Sequence, residues 1–141
     1  MGYKKNDYNE ILPNLYIGNI DSINYPFDFV VNCTKDIPIK NLYAIRLPVN
    51  DTPEEAKKLF DYINQSNVLE KIHNNLQQKR KVLVHCFAGM QRSCAVVACY
   101  LVKYFDMTPD TAIHYIQSRR IVAFFGGVNF MNTIQNVYLR H

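Results

Sequence analysis

The chain has 141 residues, 48% of them hydrophobic and 20% charged, which fits one globular domain with a single core. It contains no run of about 18 apolar residues, so we expect no membrane span. The net charge of +4 is mild, and we expect no nucleic-acid partner. Most of the basic clusters are interpreted as solvated faces, although a cluster close to a binding pocket would attract acidic substrates by electrostatic steering. The clusters are Lys4-Lys5, Lys79-Arg80-Lys81 and Arg119-Arg120.

Short apolar, β-branched runs alternate with helical patterns along the chain. The predicted strands are Leu15–Ile17, Phe29–Cys33, Leu42–Leu47 and Val82–His85. The predicted helices are 52–79, as one or two helices, Ser93–Tyr104, a helix capped by Thr108-Pro109 that runs to Arg119, and Val128–Leu139. This order predicts one α/β domain over residues 1–141, with a central, mostly parallel twisted sheet flanked by helices.

The segment from His85 to Ser93 joins a predicted strand to a predicted helix and places Cys86 and Arg92 six positions apart. Backbone N–H groups at a helix N-terminus, together with the helix dipole, form a site for anions. Gly89 suits such a loop because it adopts positive φ and lets the backbone approach an oxyanion. The pattern predicts a phosphate-binding loop lined by Phe87, Ala88, Gly89, Met90, Gln91 and Arg92.

The side chain of Arg92 is suited to binding a phosphoryl group, and that of Cys86 is suited to attacking it. A guanidinium donates parallel hydrogen bonds to two phosphoryl oxygens, which a lysine cannot do. The same positive field favours the thiolate of Cys86, which is the nucleophilic form. A cysteine at the end of a strand is often only a packing residue. The strand before it, the glycine within the loop and the helix after it together favour a catalytic nucleophile.

The His-Cys-x5-Arg-Ser loop resembles that of the cysteine-dependent protein tyrosine phosphatases, in particular the small dual-specificity branch and its compact viral-type members. The similarity covers most of the chain. It includes the segments from Ile11 to Gly18, from Val30 to Cys33 and from Leu47 to Thr52. The resemblance implies hydrolysis of phosphotyrosine and phosphoserine or phosphothreonine in proteins through a phosphocysteine intermediate, with no metal and no cofactor.

The resemblance also assigns the general acid to Asp51. A positioned acid that protonates the leaving oxygen is worth about 10² to 10⁴ in rate. A second interpretation remains open, because the segment from Thr52 to Glu55 is typical of a capping box with proline at the first helical position. Asp51 or Thr52 then only caps a helix, although Thr52 can cap while Asp51 acts as the acid.

Ser93 and His85 complete the set of expected catalytic residues. The Ser93 hydroxyl either caps the following helix or hydrogen-bonds the Cys86 sulfur as it leaves the phosphoenzyme. The resemblance favours the second role. His85 is similar to the histidine that orients the loop in this family and transfers no proton, whereas a histidine beside a strand is otherwise a core residue.

Three other functions compete with protein dephosphorylation. An RNA 5′-phosphatase of the same superfamily usually has Thr-Gly after the arginine, where this chain has Ser93-Cys94. A phosphoinositide phosphatase usually has lysines in the loop, and residues 87–91 have none. A catalytically silent phosphoprotein-binding module would not need Cys86. Phe124 to Gly127 stand where relatives usually have a proline-containing loop, which leaves the substrate preference open.

The remaining expectations concern partners and environment. Residues from Met1 to Asn6 contain no apolar signal segment, and Asn6 stands where the myristoylation pattern of Gly2 needs Ser or Thr. We therefore expect a soluble, cytoplasmic protein with reduced cysteines. Cys33 or Cys94 is a candidate to trap an oxidised Cys86 as a disulfide. The expected partners are phosphorylated proteins, and the chain is expected to be a monomer or a weak homodimer.

Overall fold

A computed structural model describes residues 6–141, so Gly2 and Lys4-Lys5 lie outside the described residues. Within residues 6–141 the chain forms a sheet of five strands. The strands are β1 (Tyr8–Leu12), β2 (Leu15–Gly18), β3 (Phe29–Asn32), β4 (Ala44–Arg46) and β5 (Val82–His85). Their order in the sheet is β1-β2-β5-β3-β4, so β5 is central. Only β1 and β2 pair antiparallel, which confirms the expected mostly parallel sheet.

In the described part of the chain, five α-helices and two short 3-10 helices surround the sheet. The α-helices are α1 (Ala56–Ser66), α2 (Val68–Gln77), α3 (Arg92–Phe105), α4 (Pro109–Arg119) and α5 (Met131–Arg140). The 3-10 helices are Ile20–Asn24 and Pro53–Glu55. The region 52–79 contains two α-helices because Asn67 between them takes a left-handed conformation, with φ of 54°. No helix among residues 6–141 is long and apolar enough to cross a bilayer.

Some boundaries follow local sequence signals and others do not. The predicted cap of α4 is confirmed, because Thr108 Oγ1 accepts a hydrogen bond from the Thr111 backbone N–H at 3.2 Å. The predicted capping box at Thr52 is wrong. Its side chain makes no cap hydrogen bond, and the Glu55 carboxylate accepts from the Asn50 N–H at 3.0 Å instead.

The buried core brings the end of β5 to the beginning of α3. All four residues of β5 are buried, as are ten consecutive residues of α3 from Ser93 to Val102. This helix packs against β5 on one side and against α4 and α5 on others. Cys86 therefore lies at the carboxyl end of the central strand, directly before the N-terminus of a buried helix, as the sequence predicts.

Candidate active site

The loop of residues 86–91 is held from outside through its carbonyl groups. Four consecutive carbonyls accept hydrogen bonds from residues that lie outside the loop. The pairs are Phe87 O with Ile20 N (2.9 Å), Ala88 O with Arg120 Nη2 (3.3 Å), Gly89 O with Arg120 Nε (2.8 Å) and Met90 O with Phe124 N (2.7 Å). In a planar trans peptide, the next N–H points opposite to the carbonyl. The N–H groups of residues 88–91 therefore point away from these outer partners.

The charge distribution around these N–H groups favours an anion. The N–H groups lie directly before α3, a helix of 14 residues, whose dipole adds partial positive charge at its N-terminus. Gly89 has φ of 68°, the conformation expected from the sequence. A Cβ at this position would lie 2.6 Å from Arg120 Nη2 and 2.7 Å from Gly18 O, so the packing leaves no room for a side chain.

Arg120 supports the loop from behind and was missed as a functional residue by the sequence patterns. It is 1% exposed, so the expectation that Arg119-Arg120 form a solvated face is wrong for Arg120. Besides its bonds to the loop, its Nη1 donates to Asn9 Oδ1 at 2.7 Å and to Asn6 O at 3.3 Å. A buried charge needs such partners. The guanidinium thus links the loop to β1.

Arg92 is the first residue of α3 and is half-buried. Its Nη1 donates to the backbone carbonyl of Val49 at 3.1 Å. Its Nε is the only buried side-chain nitrogen or oxygen among the described residues that lacks a hydrogen-bond partner. Buried polar groups are nearly always paired, and a free guanidinium donor beside the loop amides fits an anionic ligand.

Cys86 and Ser93 form a close pair. The Cys86 side chain is buried, and its Sγ lies 3.2 Å from Ser93 Oγ. Ser93 is the second residue of α3, whereas the N-cap is Gln91, so the interpretation of Ser93 as a helix cap is wrong. The hydroxyl is placed where it can donate to the sulfur.

His85 is buried in the core at the end of β5. Its Nδ1 lies 3.4 Å from the Cys86 carbonyl oxygen, which is a long contact. Burial lowers the pKa of His85 to about 4, and the nearby charges of Arg46 and Arg92 act in the same direction, while the Cys86 contact opposes it. The imidazole is therefore neutral at physiological pH.

Asp51 is exposed and lies just before the 3-10 helix at Pro53–Glu55. Two connections join this segment to the loop. Arg92 binds Val49 O, two residues before Asp51, and Asp51 Oδ1 accepts from Asn129 Nδ2 at 2.9 Å. The Asn129 backbone N–H in turn donates to Gln91 Oε1 at 3.0 Å. Asn129 was also missed by the sequence patterns, because it stands far from its partners in the chain.

All four cysteines are buried free thiols. The parallel register pairs Asn32 with His85, the last residues of β3 and β5, so Cys33 and Cys86 directly follow the ends of two neighbouring strands. Burial raises the pKa values of Cys33, Cys94 and Cys99, which keeps these thiols protonated and poorly nucleophilic. A disulfide between Cys86 and Cys33 or Cys94 remains a prediction.

A buried cysteine at the start of this loop and an arginine directly after it are the arrangement expected of a cysteine-dependent phosphatase. Residues 15–139 match the family model described as dual specificity phosphatase, catalytic domain. The chain is therefore a member of the dual specificity phosphatase family and a protein phosphatase, and its partners include phosphorylated proteins.

Relatives agree with this assignment. "Putative tyrosine phosphatase 123R" of Invertebrate iridescent virus 6 is 32% identical over 120 residues, which are 82% of this chain and 81% of the viral protein. Human dual specificity protein phosphatase 16 is 30% identical over 78% of this chain, which corresponds to only 18% of that longer protein. The crystal structure of human DUSP28 has the same fold, with a TM-score of 0.84, 19% identity, and coverage of 99% of this chain and 98% of that one.

Proposed function

We propose that Cys86, Arg92, Asp51, Ser93 and His85 carry out the phosphatase reaction, with residues 87–92 as the phosphate-binding loop. The observation that carries this proposal is that four consecutive loop carbonyls are hydrogen-bonded to residues outside the loop. The N–H groups of residues 88–91 then point in the opposite direction and are free to donate to a ligand. These amides and the unpartnered Arg92 Nε supply donors for phosphoryl oxygens next to a buried thiol. The Cys86 sulfur is thus close to where phosphorus would be bound.

The proposed reaction has two steps. The Cys86 thiolate attacks phosphorus, the sulfur–phosphorus bond forms, and the bond from phosphorus to the leaving oxygen breaks as Asp51 transfers its proton to that oxygen. Water then attacks the phosphocysteine, the Asp51 carboxylate accepts a proton from this water, and the thiolate leaves as inorganic phosphate is released. Ser93 donates a hydrogen bond to the departing sulfur, which stabilises the thiolate. His85, neutral and buried, transfers no proton and holds the start of the loop.

We also propose that both phosphotyrosine and phosphoserine or phosphothreonine are substrates and that the chain is a single catalytic domain acting as a monomer or a weak homodimer. Two exposed aromatic side chains, Phe87 at 60% and Phe125 at 74%, are the residues through which the site is expected to contact the substrate around the phosphate. Paired phosphotyrosine and phosphothreonine peptides with identical flanking residues measure the preference, and light scattering after gel filtration measures the mass in solution.

The leaving-group dependence of turnover tests the residue roles. Cys86→Ser should abolish turnover of p-nitrophenyl phosphate, because no thiolate remains. Asp51→Asn should slow phenyl phosphate by about 10² or more while slowing p-nitrophenyl phosphate much less, since p-nitrophenolate leaves without a proton. Asp110→Asn is the matched control, because Asp110 is an exposed carboxylate at the beginning of α4. Thiol-independent turnover, or equal slowing of both substrates by Asp51→Asn, would contradict the assigned roles.

A further inference from the structure

The carboxyl group of Asp51 is bound by an amide from a distant part of the chain. Asn129 Nδ2 donates to Asp51 Oδ1 at 2.9 Å, although the two residues are 78 positions apart. Asn129 lies just before Phe130, the N-cap of α5, in the loop that follows Arg120. The contact spans the surface between this loop and the turn that carries Asp51.

Gln91 holds Asn129 in this position. Its Oε1 accepts from the Asn129 backbone N–H at 3.0 Å. Its Nε2 donates to Gly127 O at 2.7 Å and to Phe125 O at 3.2 Å. Gln91 is 6% exposed, and it belongs to the phosphate-binding loop directly before Arg92. These hydrogen bonds tie the backbone of residues 125–129 to the loop, so the side chain of Asn129 starts from a fixed position when it reaches Asp51.

The direction of the contact between Asn129 and Asp51 has a chemical consequence. The Nδ2 group of an asparagine can only donate, and a protonated carboxyl has one hydroxyl and one carbonyl oxygen. The carbonyl oxygen is the stronger acceptor of the two, so a hydrogen bond from Nδ2 to Oδ1 favours the form with the acidic proton on Oδ2. The same contact opposes rotation of the carboxyl, which would exchange the two oxygens.

We propose that Asn129 is a positioning residue that selects Oδ2 of Asp51 as the proton-donating oxygen. Gln91 in turn holds Asn129 at a fixed position relative to the phosphate-binding loop. This inference rests on the proposed role of Asp51 as the general acid. Proton transfer needs the donor oxygen within hydrogen-bond reach of the leaving oxygen. A bridge from the phosphate-binding loop to the acid meets this need, because phosphate and acid are then held by one set of hydrogen bonds.

The test measures turnover of aryl phosphates, from p-nitrophenyl to phenyl phosphate, for Asn129→Ala and for the control Asn132→Ala. Asn132 is an exposed asparagine three residues further on, in the first turn of α5. We expect Asn129→Ala to slow phenyl phosphate about tenfold, as part of the 10² to 10⁴ that a general acid contributes, and p-nitrophenyl phosphate by less than about twofold. Asn132→Ala should change neither. Gln91→Met should show the same preference for the better leaving group.

A double variant separates positioning from a general structural role. In the background of Asp51→Asn, the substitution Asn129→Ala should cause no further loss with phenyl phosphate, because residues that act through one proton transfer are not additive. Equal slowing of all substrates by Asn129→Ala, or a further tenfold loss in that background, would overturn the inference. If Asp51→Asn itself shows no leaving-group dependence, the proposed acid fails. If Asp51→Asn shows it and Asn129→Ala does not, only the role of Asn129 fails.

Discussion

The buried histidine before the nucleophile makes the stability of the fold depend on pH. His85 is 1% exposed, and its pKa is lowered from 6.5 to about 4, first by burial and then by the positive charges of Arg46 and Arg92. Below pH 6.5 the unfolded chain binds a proton at this position, while the folded chain stays neutral down to about pH 4. The stability that the neutral imidazole contributes is therefore complete above pH 6.5 and is lost as the pH falls from 6.5 to about 4.

The difference between the His85 pKa in the unfolded chain and in the folded chain corresponds to about 3 kcal/mol of folding free energy, since one pKa unit is about 1.4 kcal/mol. At pH 5 about 2 kcal/mol of this is already lost. Urea unfolding at pH 7.5 and at pH 5 measures the effect. The carboxylates titrate in the same way in wild type and in the variants, so their contribution cancels in the comparison. His85→Asn removes the titrating imidazole, so between pH 7.5 and pH 5 this variant should lose about 2 kcal/mol less free energy of unfolding than wild type loses.

His114→Asn provides the matched control, because His114 is an exposed histidine of α4. This variant should keep the pH dependence of wild type. If His85→Asn and wild type lose the same stability between pH 7.5 and pH 5, the neutral state of His85 is not responsible and the reasoning is refuted.

Three further variants test the loop. Arg92→Lys keeps the charge but loses the paired donors, and turnover of p-nitrophenyl phosphate should fall by about 10² or more, so near-normal turnover would contradict two-point binding. Ser93→Ala should slow breakdown of the phosphoenzyme, seen as a burst of p-nitrophenol before a slow steady state, and the absence of a burst would count against its role. Gly89→Ala should lower the free energy of unfolding by about 2 to 4 kcal/mol, through positive φ and crowding against Gly18 and Arg120. The control Gly126→Ala has φ of 83° but open space around it, so it should lose only about 1 kcal/mol, and equal losses would exclude crowding.

Local signals explain most of what the sequence predicts correctly. Cys86 and Arg92 lie in one short segment between a strand and a helix, so their chemistry is visible in the sequence. The beginning of α4 at Thr108-Pro109 is equally local. The edge strand β1 was missed because its residues from Tyr8 to Glu10 are partly exposed and polar, without the apolar alternation of a half-buried strand. The last helix begins at Met131 rather than Val128, because Phe130 is its N-cap.

The remaining differences come from tertiary contacts. Glu55 has the spacing of a capping box, but its carboxylate binds the Asn50 N–H, so Thr52 forms no side-chain cap. Asn129 and Arg120 acquire their roles only when the chain folds, since their partners are 78 and 31 positions away. Gln91 was expected only as a loop residue, and its side chain instead extends sideways to the segment of residues 125–129.

Arg120 gives the loop a second cation that does not need to touch the substrate. Its guanidinium donates to the carbonyls of Ala88 and Gly89. A charge on the carbonyl side of a peptide group polarises that group and makes the opposite N–H a stronger donor. Because Arg120 is buried, dissolved salt screens this polarisation far less than it screens an exposed charge. Part of the attraction for a dianion is thus transmitted through the backbone and should persist at ionic strengths that weaken the contribution of surface lysines.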